Sequence, residues 1–216
     1  GTQAEDALIG YAWHLSNIGQ KVFAESAAST GNDLNLLTAW SNSYYGSGVK
    51  VLVSDDGSES THEDLSGNFI AGSVHKDYRL SSPYLSSSSL PVGEDDNHGT
   101  AVSGIIAAVG WNGVGSRGVA PRAQYGIANF MSSAVVQSLA ILLDQASGSF
   151  DVFNMSWGTP NNTLGSPESS YEAQLLSGVT SLRSGRGAIY VKSAGNDYYV
   201  ACRNNSSAYC IGNANF

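Results

Sequence analysis

The stretch Gly48-Val49-Lys50-Val51-Leu52-Val53-Ser54-Asp55-Asp56-Gly57 limits what this chain can become more than any other. A short run of β-branched and apolar residues that stops at an acid pair and a glycine reads as a strand, over residues 49 to 53, delivered into a tight turn. The pattern returns. Residues 123 to 129 and 151 to 156 read as further strands, and Ala188-Ile189-Tyr190-Val191 leads into Lys192-Ser193-Ala194-Gly195-Asn196-Asp197 as another. Helical periodicity fills the gaps: Val102, Ile105, Ile106 and Val109 recur at three- and four-residue spacing after His98, and residues 135 to 146 and 169 to 183 carry two more helical patterns. Strands alternating with helices predict an α/β fold with a parallel sheet and helices on both faces. A short helix is predicted over residues 33 to 40, and the polar segment 72 to 97, with Ser86 to Ser89 inside it, reads as a long exposed loop.

With 216 residues and 42% hydrophobic side chains the chain can bury a sizeable core, and one domain is expected. Ten basic against eighteen acidic residues give a formal charge of −8, which argues against nucleic acid as a partner and for cations or basic substrates. No apolar run of about 18 residues occurs, so no membrane span is expected, and the first residues lack the pattern of a retained signal peptide. The low charged fraction of 13% beside abundant Gly, Ser, Asn and Tyr suits a secreted hydrolase. Cys202 and Cys210 flank a polar segment and suit a small disulfide-closed loop in an oxidising compartment, with two free thiols as the alternative.

Parallel sheets carry their functional residues just beyond the carboxyl ends of the strands. Asp55, Ser156-Trp157-Gly158 and Asn196 all fall there, and His98 opens a helix. A hydroxyl nucleophile needs a base within hydrogen-bond reach, and the base needs an anion on its other ring nitrogen to fix its tautomer. His98 and Asp55 suit those roles. Asn196, on a strand-end loop, is the candidate donor to a developing oxyanion. Taken one at a time, the same residues read as a structural histidine and two turn residues; their joint order favours chemistry.

In that order the motifs resemble those of the subtilisin-like serine proteases, and more closely their kexin and furin branch. Val53-Ser54-Asp55-Asp56-Gly57 followed by His62-Glu63-Asp64-Leu65 matches the aspartate motif, and His98-Gly99-Thr100-Ala101-Val102-Ser103-Gly104 the histidine motif. Asn154-Met155-Ser156-Trp157-Gly158 resembles the substrate-binding strand, and Ser193-Ala194-Gly195-Asn196 the oxyanion segment. The paired acids Asp55-Asp56, Trp13-His14-Leu15 and Ser156-Trp157-Gly158 favour the kexin branch.

The resemblance implies a subtilisin-like three-layer fold and an Asp/His/Ser endopeptidase working with Asp55, His98 and Asn196. It implies substrate contacts from Asp56, Asp95, Asp96, Ser156, Trp157 and Gly158, with a preference for basic residues, although Asn161 is neutral where the family usually carries an acid. An acidic surface loop is the plainer reading of Asp56, Asp95 and Asp96. A Ca²⁺ site is implied at Asp6, Asp64, the Asn112 side chain and the carbonyls of Val109, Val114 and Ser116, a hard-oxygen set that the ion prefers.

No Gly-Thr-Ser-x-Ala segment able to carry the nucleophile precedes Phe216. The expectation is therefore that residues 1 to 216 form the N-terminal portion of a catalytic domain, inactive alone, whose serine lies on a further segment or a second chain. Partners implied are a protein or peptide substrate and a propeptide or chaperone, with a secreted or periplasmic location. The rival reading is a non-catalytic calcium-binding fragment or pseudoprotease that holds peptide without cutting it. A nucleotide enzyme fits worst, since neither Gly-x-Gly-x-x-Gly after the first strand nor a Walker loop is present.

Overall fold

The computed structural model describes residues 4–22, 25–80, 85–87, 90–91, 93–158 and 169–196. At its centre β1 (Lys50–Asp55) is buried from Val51 onward, flanked in parallel by β4 (Gln124–Asn129) and β5 (Val152–Met155). Beyond β5 runs β6 (Ile189–Lys192), and beyond β4 runs β2 (His75–Asp77), both parallel to their neighbours. A short antiparallel β3 (Leu85–Ser86) lies on β2, giving the order β3-β2-β4-β1-β5-β6. The register sets Asp55 beside Asn129 and Ser54 beside Met155, so the carboxyl ends of the central strands finish along one rim.

Alternate side chains of β1 serve two layers. Val51 and Val53 point with Tyr125 and Ile127 toward α2 (His98–Ala107), whose Val102, Ile106 and Ala107 close that core. Leu52 joins Ala128, Phe153 and Met155 on the other face, where α3 (Leu139–Asp144) contributes Ile141 and α4 (Ser169–Gly185) contributes Tyr171. Helices therefore cover both faces, and the α/β expectation holds. Burying one Leu or Val side chain stabilises the fold by about 1.5–3 kcal/mol, and Leu52 and Val53 are both fully enclosed.

Three expectations need correcting. The segment 72 to 97 is not one exposed loop, because β2 lies inside the sheet with His75, Lys76 and Asp77 all buried. Their polar atoms are satisfied internally: His75 binds the Ile70 carbonyl and the Ile127 N–H, Lys76 reaches the Ser147 carbonyl at 2.7 Å, and Asp77 pairs with Arg79. The first helix begins at α1 (Leu37–Ser41) rather than at residue 33, because the Asp33 carboxylate accepts the N–H groups of Asn17 and Asn35 at 2.8 Å each and Asn35 takes a left-handed φ of 54°. The helix expected over 135 to 146 shortens to α3, where extended Ser138 accepts the Ile141 N–H through its hydroxyl and so starts the first turn.

Candidate active site

Asp55 is the last residue of β1 and only 2% exposed. Its backbone carbonyl accepts the N–H groups of Phe130 and Met131, at 2.7 and 2.9 Å, which ties the strand end to the segment leaving β4. Its carboxylate meets Nδ1 of His98, the first residue of α2, at 2.9 and 3.1 Å. The pair thus spans two elements 43 residues apart in sequence. With Nδ1 committed to Asp55 and 59% of the His98 side chain exposed, Nε2 is the nitrogen left to solvent or substrate.

Burial pushes the Asp55 carboxyl up, to about 6, against the lowering by its hydrogen bonds to His98 and the Asp56 N–H. The bond to Asp55 raises His98 above its ordinary value, against a smaller lowering by burial. A hydrogen-bonded carboxylate behind an exposed imidazole is the arrangement a general base requires.

Asp55, His98 and Asn196 line one cleft of about 560 Å³. So do Asp56, Asp95, Asp96, Ser156, Trp157 and Gly158. Asp95 is exposed, whereas Asp96 is turned inward and accepts the Gly93 N–H and the Ser132 hydroxyl, at 3.1 and 2.8 Å. Asn161, Cys202 and Cys210 lie outside the described residues, so the neutral substrate position and the disulfide expected there do too. Ser193 and Gly195 of the oxyanion segment line the cleft too, and Met131 and Ser133, which no motif marks, complete it. Lys192, also missed, holds its ammonium over the ring of cleft residue Trp157 and donates to the Trp157 carbonyl. Burial lowers this lysine to about 8. A lysine closing the apolar run Ile189-Tyr190-Val191 was the available signal.

The six residues implied as calcium ligands form one network away from the cleft. Asp64 accepts the Asn112 amide at 2.8 Å and the Ser116 N–H at 3.0 Å, while Asp6 accepts the N–H groups of Trp111, Asn112 and Gly113. The Val114 N–H binds Asn112 Oδ1, and the Val109 N–H binds the Asp64 carbonyl. Burial, with the nearby Asp6 charge, raises the Asp64 carboxyl, and the Ser116 hydroxyl is buried without a partner. Desolvated carboxylates and an orphaned hydroxyl fit a hard cation. Asp6, however, already meets a cation: Arg117 Nε lies 2.6 Å from its Oδ2, with both side chains buried.

Among the described residues no helix is long and apolar enough to cross a membrane. Residues 46–214 match the model of the subtilase family. The chain is 37% identical over 193 residues to an extracellular serine protease of Aeromonas sobria, covering 86% of this chain and 30% of that protein. It is 30% identical to a dibasic-processing endoprotease of Schizosaccharomyces pombe, across 88% of this chain and 25% of the relative, and 31% identical to furin of Homo sapiens, across 94% and 24%. A crystal structure of the Aeromonas sobria protease in complex with its chaperone superposes with a TM-score of 0.79 at 33% identity, covering 89% of this chain and 32% of that one. The chain thus spans between about a quarter and a third of the length of these relatives.

Proposed function

Because this chain belongs to the subtilase family, on its kexin- and furin-like branch, we propose that it supplies the acid, the base and the oxyanion donor of a serine endopeptidase. The observation that carries the reading is the hydrogen-bonded Asp55–His98 pair opening on the same cleft as Asn196. His98 Nε2 takes the proton of a serine hydroxyl as that oxygen attacks the peptide carbonyl, then returns it to the leaving amine. Asp55 holds the ring and stabilises the imidazolium, and the Asn196 amide donates to the tetrahedral oxyanion. The serine comes from a segment or chain outside these residues. Support for such a segment is the exposed apolar face of β6, where Ile189 and Val191 are 54% and 47% exposed.

Extended substrate lies along Ser156-Trp157-Gly158, and the acids of the cleft favour basic side chains; the dibasic-processing relative supports this preference. Calcium is held by Asp64, Asn112, Asp6 and the carbonyls of Val109, Val114 and Ser116, where it cross-links the loop and supplies no catalytic step. The protein is secreted or periplasmic and folds with a chaperone or propeptide, in keeping with the extracellular Aeromonas relative and its chaperone complex.

The test is hydrolysis of a dibasic peptide together with fluorophosphonate labelling of the full-length protein. Turnover and labelling of a serine are expected, with His98→Ala abolishing both. A labelled protein that retains more than a few per cent of its turnover without His98 removes this residue from its role. Absence of labelling in the unaltered protein favours a peptide-binding pseudoprotease.

A further inference from the structure

Asp56 follows Asp55 at the end of β1 and lines the cleft, and its carboxylate is engaged by the backbone of α2. Oδ1 accepts the Gly99 N–H at 2.7 Å and Oδ2 accepts the His98 N–H at 3.1 Å. The first N–H groups of a helix have no partner within it, and a side-chain oxygen usually meets them from the position before the helix. Here Asn97 occupies that position and makes no such bond with its side chain. The acceptor comes instead from 42 residues upstream, out of the strand that carries the triad acid, and it is 8% exposed.

A second observation concerns the approach of the two elements. A Cβ on Gly99 would lie 2.1 Å from the Gly57 carbonyl oxygen and 2.9 Å from Asp55 Cβ. Only a glycine lets the start of α2 come this close, and only there can Asp56 reach both N–H groups. Consecutive carboxylates therefore grip one histidine twice, Asp55 by its ring and Asp56 by its backbone.

We propose that Asp56 is a positioning residue for the general base: it anchors the first turn of α2 so that the His98 ring is presented to Asp55. The proposal rests on the reading of His98 as the base. Its negative charge adds to that of Asp55 on the imidazole, and Asp95 and Asp96 face the same cleft. Loss of the Asp56 charge alone would move the His98 midpoint equally in variants that keep or lose the acceptor oxygen, whereas loss of the anchor moves it further when the acceptor is gone.

The experiment is titration of the His98 ring protons by NMR in the substrate-free full-length protein, comparing the unaltered protein with Asp56→Asn and Asp56→Ala. Asn keeps one acceptor oxygen and loses the charge; Ala loses both. A downward shift of the His98 midpoint is expected in both variants, larger for Ala, with kcat falling on the order of 10²-fold for Ala while KM changes little. A His98 midpoint that is unchanged, or shifted equally in the two variants, with kcat kept and KM rising for peptides carrying a basic residue before the cleaved one, overturns the proposal and leaves Asp56 as a substrate contact. Should Asp56→Ala fail to fold, kcat of Asp56→Asn on the alkaline plateau of its pH profile, where the ring is neutral, decides: a fall supports the anchor, and an unchanged kcat overturns the proposal. If the protein proves not to be a protease, the shift is still read without turnover, so the two failures are distinguishable.

Discussion

The Lys192 ammonium lies 3.9 Å from the ring centroid of Trp157, a residue that lines the cleft. It stacks on the aromatic face and donates to the Trp157 carbonyl. In the proposed protease this positive charge next to a cleft residue would oppose a basic substrate side chain. Lys192→Met is expected to raise kcat/KM for peptides with Arg at the cleaved position, relative to Met there, on the order of tenfold. Because burial brings Lys192 to about 8, the unaltered protein should gain the same preference as pH rises through 8, and the variant should not. Paired peptide kinetics at pH 7 and 9 read both effects; equal preference in the two proteins removes Lys192 from specificity.

In the proposed protease the Asp55–His98 bond should set the acid limb of activity. Asp55 raises His98 above 6.5, so the imidazole remains protonated, and unable to accept the serine proton, up to a higher pH than a free histidine would. A plot of kcat/KM against pH for an uncharged peptide should rise with a midpoint above 6.5. Asp55→Asn should move that midpoint down and lower kcat by on the order of 10⁴-fold, since the amide no longer holds the required tautomer. A midpoint that stays in place in this variant would separate Asp55 from His98 in solution.

What could be read from the sequence follows from where the side chains find their partners. β1 was legible because Val51, Leu52 and Val53 are apolar and buried, and α2 because Val102 and Ile106 repeat at helical spacing on the face that meets β1. β2 was not, since His75-Lys76-Asp77 looks like surface and becomes interior through bonds to Ile70, Ile127, Ser147 and Arg79. None of those partners is marked by a local pattern. The same holds at the site. Asp55, His98 and Asn196 stand at strand ends and a helix start, where a motif betrays them. The turn of Asp56 toward α2 depends on a contact between segments 42 residues apart, which spacing does not reveal.

Arg117 bears on the calcium proposal. Its Nε lies 2.6 Å from Asp6 and its guanidinium stacks on Trp111, 4.5 Å from the ring centroid, so the protein already neutralises one of the two carboxylates. Removing it by Arg117→Leu leaves a buried, uncompensated Asp6 and should cost about 3–5 kcal/mol in chelator. Calcium can then replace the lost charge. Thermal unfolding in CaCl2 and in EDTA should therefore differ more for the variant than for the unaltered protein. An identical loss in both buffers would mean that no calcium reaches Asp6.

His75 makes the fold sensitive to acid. Its ring is fully buried, stacked on Phe69 at 4.0 Å between centroids, with Nε2 2.8 Å from the Ile70 carbonyl and Nδ1 accepting the Ile127 N–H at 3.1 Å. These partners require a neutral ring with its proton on Nε2, because a proton on Nδ1 would oppose the Ile127 N–H. Burial accordingly lowers its pKa from 6.5. Below 6.5 the unfolded chain binds a proton at this site that the folded chain resists, so the contribution is present above 6.5 and is lost as pH falls beneath it. His98, raised by Asp55, acts with the opposite sign but is common to both proteins in the comparison. His75→Gln should cost about 1–3 kcal/mol at pH 7.5 through imperfectly paired backbone groups, yet lose less further stability by pH 5.5 than the unaltered protein. Urea midpoints at the two pH values measure this, and parallel declines would show that His75 is not the group whose protonation loosens the sheet.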